Sequence, residues 1–171
     1  MNAAAIVAVF ESTFDNVRLE GGADEPFYSP AAAGEPAIIR FREDFAASAL
    51  HEVAHWCIAG PRRRALPDFG YWYEPVRDGA TQSRFEAAEA EPQALEWILS
   101  VAAGRPFRVS FDNFDLPACR VDAFRCRVRS AAQDRLARGL PARARRFAAA
   151  LSARSGCETY LDSMHYQDVP R

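Results

Sequence analysis

Two of the chain's three histidines fall in one short stretch, LHEVAHW (residues 50–56). His51, Glu52 and His55 form the pattern H-E-x-x-H. On a helix, residues four apart share a face, so His51 and His55 can aim two imidazoles at one ion. Glu52, one residue on, stands near that ion but not at the same vertex. Such sites take a third protein ligand and keep one or more positions open for chemistry. The pattern also arises by chance on solvated helices. Here the neighbours Leu50, Val53, Ala54, Trp56 and Cys57 are apolar, which argues for a partly enclosed face.

A third ligand is sought in FEAAEAEPQALEW (85–97), the next segment rich in carboxylates. Glu86 and Glu89 are three apart and share a helix face, while Glu91 and Glu96 are expected to point elsewhere. Glu89 comes just before Pro92, where a kink could turn its carboxylate inward. Glu89 is therefore the favoured ligand. Glu86 is the alternative, either as a ligand or as an acceptor for an imidazole N–H. Two histidines and a carboxylate suit a catalytic zinc, with Glu52 taking a proton from the attacking water of a peptidase. The same set suits non-heme Fe(II) with O₂ and substrate at the open positions. The residues alone do not choose between these metals.

The elements that must position these groups read mainly as helices. Residues 3–17 carry Ile6, Val9, Phe10, Phe14 and Val17 at helical spacing. The Gly- and Pro-rich run 21–36 predicts an extended loop, and AIIRF (37–41) a short strand. A helix is expected from about 44 to 59, capped by Gly60 and stopped by Pro61. Residues 61–82 read as a long connection that holds Phe69, Tyr71, Trp72 and Tyr73. Helices over 83–103 (stopped by Gly104), 117–138 (ended by Gly139) and 141–154, and a strand over 106–111, complete the reading; the tail from 157 shows no pattern. This is an α+β chain, mainly helical, with a few short strands, read as one domain over 1–171.

With 171 residues, 49% apolar and 26% charged, the composition is that of a soluble globular protein. No apolar run approaches the ~20 residues of a membrane helix, and the apolar start lacks the basic region of a signal peptide. The net charge of -2 gives no sign of nucleic-acid binding. All 21 basic residues are arginines, which excludes a Schiff-base or P-loop lysine. Cys57, Cys119, Cys126 and Cys157 form no metal-binding pair and are expected to be free thiols of a cytoplasmic protein.

HEVAHWCIAGPRRRALPDFGYWY, with FEAAEAEPQALEW, SVAAGRPFRVSFDN and the DEPFYSPA loop (24–31), resembles the elongation factor P hydroxylases of proteobacteria across 24–113. From about 117 the likeness is only one of helical pattern. The resemblance implies a fold similar to that of zinc peptidases. It implies a hydroxylase acting on the modified lysine of elongation factor P after a β-lysyl group has been attached. It further implies iron held by His51, His55 and a carboxylate in FEAAE, best matched by Glu89, with O₂ as cosubstrate; zinc could occupy the site as isolated. In that chemistry Glu52 is not needed as a base and becomes a supporting group or proton donor. A long cationic side chain calls for acidic and aromatic walls, for which Asp24, Glu25, Asp68, Tyr71, Tyr73 and Glu74 are candidates. Arg62, Arg63, Arg64, Arg143, Arg145 and Arg146 are candidates for docking an acidic protein. A zinc peptidase and a binding module with a structural metal are the competing readings.

Overall fold

A computed structural model describes residues 1–70, 79–111 and 117–169, without the side chains of 79–85. Its first helix, α1 (Ala3–Thr13), starts where the Asn2 side chain accepts the N–H of Ala5 at 3.0 Å. It buries Ile6, Val9 and Phe10 at helical spacing. It stops short of the expected residue 17 because the chain turns into a strand.

Strands β1 (Val17–Ala23), β2 (Phe27–Ser29) and β3 (Ala37–Arg42) form one sheet in the order β1-β3-β2. β1 runs parallel to β3 and pairs Leu19 with Ile39, whereas β2 runs antiparallel and pairs Tyr28 with the same Ile39. Ala37, Ile39 and Phe41 alternate inward along β3. The expected loop 21–36 thus contains the end of one strand and the whole of another. Gly21 and Gly22 read as loop signals, but they serve the strand. A Cβ at Gly21 would lie 2.7 Å from the Glu43 carbonyl oxygen and 2.8 Å from the Phe41 ring. Gly22 takes φ +87° at the irregularity in the β1–β3 register.

Helix α2 (Ala46–Ile58) packs on β3 and on α1. Ala46, Ala49, Leu50, Val53, Ala54 and Cys57 face the core. Phe10 and Phe14 of the α1 end meet Trp56 edge-on, at ring separations of 5.6 and 4.8 Å. Removing a core ring of this kind costs about 3–5 kcal/mol. Gly60 does not cap α2 as the sequence suggested. The cap is Ala59, and arginines serve the last carbonyls instead. Arg143 Nη2 donates to the Trp56, Cys57 and Ala59 oxygens at 3.0, 3.1 and 2.6 Å, and Arg64 Nη1 donates to Ala59 at 2.6 Å. Cations at a helix C-terminus also meet the negative end of its dipole.

The short helix α3 (Pro61–Arg64) and a tight turn at Pro67–Gly70 follow. Helix α4 (Gly79–Ala102) then runs unbroken through Pro92 and packs on α2, on α5 (Ala118–Arg138) and on α6 (Ala142–Ser155). Leu95 and Leu99 of α4 join the core around α1, α2, α6 and the sheet. Trp97 and Ile98 join a second cluster with Phe107, Phe124, Val128 and Tyr166. The patternless tail therefore supplies a core residue: Tyr166 is fully buried and sits edge-on to Trp97 at 5.1 Å.

Residues 106–111 form no strand. The buried Gln93 amide takes the place of a partner strand, donating to the Ser110 oxygen and accepting the Ser110 N–H, both at 3.1 Å. The architecture is α+β and mainly helical, as expected. Among the described residues no helix is long and apolar enough to cross a membrane.

Candidate metal centre

The face of α2 that looks toward α4 carries His51 and His55 one turn apart, and α4 carries Glu89 opposite them. His51 Nε2 lies 3.1 Å from His55 Nε2 and 3.4 Å from Glu89 Oε2, and His55 Nε2 lies 3.5 Å from Glu89 Oε1. Donors bound at about 2.1 Å and set at 90–110° around one ion are roughly 3.0–3.4 Å apart. The donor set and its spacing therefore fit a small divalent cation. The described residues contain one such group of potential ligands, and it is His51, His55 and Glu89.

Glu96 belongs to this cluster, contrary to the expectation that it points elsewhere. Its Oε2 lies 2.9 Å from His51 Nδ1, and it is only 5% exposed. Glu89 and Glu96 are seven residues apart, two helical turns, so they share the face turned to α2. By accepting the Nδ1–H, Glu96 fixes the His51 ring and leaves Nε2 toward Glu89 and His55. Accepting an imidazole N–H is one of the two roles that the sequence offered for Glu86. Glu86 instead turns to α5, where it pairs with Arg120 at 3.1 Å and Arg127 at 3.8 Å. Glu91 pairs with Arg135 at 2.7 Å, away from the histidines.

The electrostatics follow from crowding in a partly enclosed cleft. Burial opposes a charge on His51, but its bonds to Glu89 and Glu96 outweigh burial and hold the imidazole well above its usual range. Burial alone would raise Glu89. Its contacts with His51 and His55 reverse this and hold it well below the usual carboxylate range. Burial pushes Glu96 and Glu52 up. For Glu52 the two histidines act in the opposite sense, while Glu89 and Asp68 add to the rise.

Of the candidate channel residues, Asp24 and Glu25 are exposed, while Asp68 is half-buried and accepts the Tyr28 N–H at 2.7 Å. Tyr71, Trp72, Tyr73 and Glu74 lie outside the described residues. Arg64 and Arg143 are committed to the end of α2, and Arg146 Nη2 donates to the Thr13 oxygen at 2.6 Å. Arg62 and Arg145 are exposed. His165 contacts Thr159 at 3.1 Å in the tail and stands apart from the cluster.

A small pocket of about 90 Å³ opens beside His55, lined by Ile58, Ala59, Arg63, Ala88, Glu91 and Pro92. A larger cavity, about 460 Å³, lies among Phe14, Tyr28, Trp56, Arg64 and Arg146. It touches none of the three candidate ligands, so its size does not make it the reactive centre.

The geometry of α2 and α4 meets a consistent relationship to known proteins. The elongation factor P hydroxylase family model matches residues 7–165. The "Elongation factor P lysine hydroxylase" of Haemophilus influenzae is 44% identical over 155 residues, which cover 86% of each chain. The match takes in α2 and α4 and also α5 and α6, beyond the motifs that carry the resemblance in the sequence. The chain belongs to the elongation factor P hydroxylase family.

Proposed function

We propose that this chain is a protein hydroxylase that oxidises a lysine side chain of elongation factor P, in its β-lysylated form, at a non-heme Fe(II) held by His51, His55 and Glu89. The observation that carries the reading is the family relationship over 7–165, and the convergence of the three donor atoms on one point supports it. It favours hydroxylation over the zinc-peptidase reading, in which Glu52 would be indispensable. Residues 1–171 would act as one catalytic domain, since α4 contributes to both apolar clusters. The four free thiols suit the cytoplasm.

Two imidazoles and one carboxylate are the ligand set of non-heme iron oxygenases. Iron bound there would supply the capacity to use O₂ for oxidising a C–H bond. The chain's own residues prepare the place. Glu96 holds the His51 ring through Nδ1, so that Nε2 would be free to bind an ion. Glu89 bridges α4 to both histidines of α2 and would offset part of a bound ion's charge. Glu52, with its carboxyl pushed up by burial, would hold a proton beside the site.

Reconstitution tests the metal and the substrate together. Protein purified without air and loaded with Fe(II), given O₂ and a chemical reductant, is expected to add one oxygen atom to β-lysylated elongation factor P. It should add much less to the unmodified protein. Zinc, which binds a His₂–carboxylate site at least as well as Fe(II), is expected to occupy the site and inhibit. Full activity with zinc and no iron overturns the reading.

A further inference from the structure

The turn at Pro67–Gly70 has a backbone that its sequence does not favour. Asp68 and Phe69 have φ of +45° and +57°, and Gly70 has φ +71°. Glycine adopts such angles freely, but a bulky residue with a Cβ rarely does, and a non-glycine left-handed pair costs free energy that something else must offset. Residues held this way cluster at functional sites. Two contacts hold this turn. The Asp68 carboxylate accepts the Tyr28 N–H of β2 at 2.7 Å, and the Tyr28 hydroxyl donates to the Arg64 oxygen at 2.9 Å on the other side of the turn. Strand β2 thereby grips the turn at both ends.

The conformation delivers one ring. Phe69 is 5% exposed and lies nearly parallel to Tyr28, with ring centroids 4.2 Å apart and planes at 14°. It also lies nearly parallel to the His55 ring, at 6.4 Å between centroids and 10° between planes. Tyr28, Phe69 and His55 thus form a near-parallel series that links β2 to a candidate metal ligand.

We propose that Phe69 is a positioning residue for His55 and that Asp68 sets it. The Asp68–Tyr28 hydrogen bond keeps the left-handed turn in place, and the turn keeps the Phe69 ring where it restricts the His55 imidazole to the orientation that presents Nε2 to His51 and Glu89. This rests on the metal-site reading for its consequence, but the ring placement can be tested without metal.

The test uses the full chain and three variants. Asp68→Ala removes the hydrogen bond. Asp68→Asn removes only the charge, because an amide oxygen still accepts the Tyr28 N–H and asparagine tolerates the left-handed region. Phe69→Leu keeps an apolar side chain but not a flat ring. With only three histidines in the chain, the His55 ring protons can be assigned by NMR in the metal-free protein. Wild type and Asp68→Asn are expected to share one ring-shifted His55 signal. In Asp68→Ala that signal should move toward its unstacked position, although Phe69 is still present. Titration with Co(II) should then show about tenfold weaker binding and an altered visible spectrum in Asp68→Ala and Phe69→Leu, but not in Asp68→Asn. Folding is checked by thermal melting. An unchanged His55 signal in folded Asp68→Ala overturns the proposal, as does an Asp68→Asn variant that changes as much as Asp68→Ala. If Phe69→Leu does not fold, the Asp68 pair decides. Failure of the wild-type chain to bind Co(II) counts against the metal-site reading, and the NMR comparison still judges the turn.

Discussion

Glu96 Oε2 stands 2.9 Å from His51 Nδ1, on the opposite side of the imidazole from Glu89. The ring is held between two carboxylates on the same helix face, and in the proposed metal site one would share the ion and the other would orient the ring. This relationship separates three glutamates on α4 that look alike in the sequence. Glu89 faces the Nε2 atoms of His51 and His55, Glu96 lies against His51 Nδ1, and Glu86 pairs with Arg120 and Arg127 on α5.

Substitutions at these positions should therefore differ in kind. Glu96→Gln should lower metal affinity by about 10- to 100-fold with little loss of fold, the usual effect of losing a carboxylate that orients a histidine ligand. Glu86→Ala should leave metal affinity near wild type and lower thermal stability by about 1–3 kcal/mol, because it removes the buried carboxylate that pairs with Arg120 and Arg127 of α5. Metal titration and thermal melting of both variants distinguish the roles. A Glu86→Ala variant that loses its metal while Glu89→Ala keeps it would reverse the assignment of ligands.

Metal uptake should release protons. In the metal-free protein Glu89 and Glu96 keep His51 protonated above the usual histidine range, and histidine binds metal only when neutral. At about pH 7 uptake should displace about one proton, and affinity should weaken about tenfold for each further pH unit of acid. As pH rises through the raised His51 pKa, the proton release should fade. Calorimetric titration with Zn(II) in buffers of different ionisation enthalpy reads this directly. Binding with no buffer dependence would contradict it.

The four cysteines should divide by environment. Burial in α2 pushes the Cys57 thiol up to about 12, whereas Cys119 and Cys126 on α5 are exposed. The thiolate is the reactive form. Iodoacetamide at mildly alkaline pH should label Cys119 and Cys126 in the native protein, and Cys57 only after unfolding. Peptide mapping checks the order of labelling, and early modification of Cys57 would place it in a different environment.

The helices around the site were readable because their apolar residues repeat at helical spacing, and H-E-x-x-H carries two donors at one known spacing. What was missed has physical causes. β1 ends in glycines that read as a turn, yet Gly21 is there because the Phe41 ring and the Glu43 carbonyl come too close for a side chain. The 106–111 segment has strand composition, but a single buried glutamine amide replaced the partner strand. Glu96 is not marked in the sequence, because Glu86 and Glu89 form the conspicuous pair three apart and the face that Glu89 shares with Glu96 spans two full turns. The arginines near α2 looked like a docking surface, and Arg64 and Arg143 serve the helix end. The left-handed turn that carries Phe69 has no signal in Pro-Asp-Phe-Gly beyond its glycine.

The most direct measurement is intact-mass spectrometry of β-lysylated elongation factor P after aerobic incubation with the reductant and this chain. Wild type, Glu89→Ala and Glu52→Gln would each be loaded with Fe(II) or Zn(II). The account predicts one added oxygen atom and an uncut backbone with Fe(II)-loaded wild type, no addition with Glu89→Ala, and measurable addition with Glu52→Gln. Backbone fragments made by the zinc form and lost in Glu52→Gln would contradict it, and so would hydroxylation by Glu89→Ala at the wild-type rate.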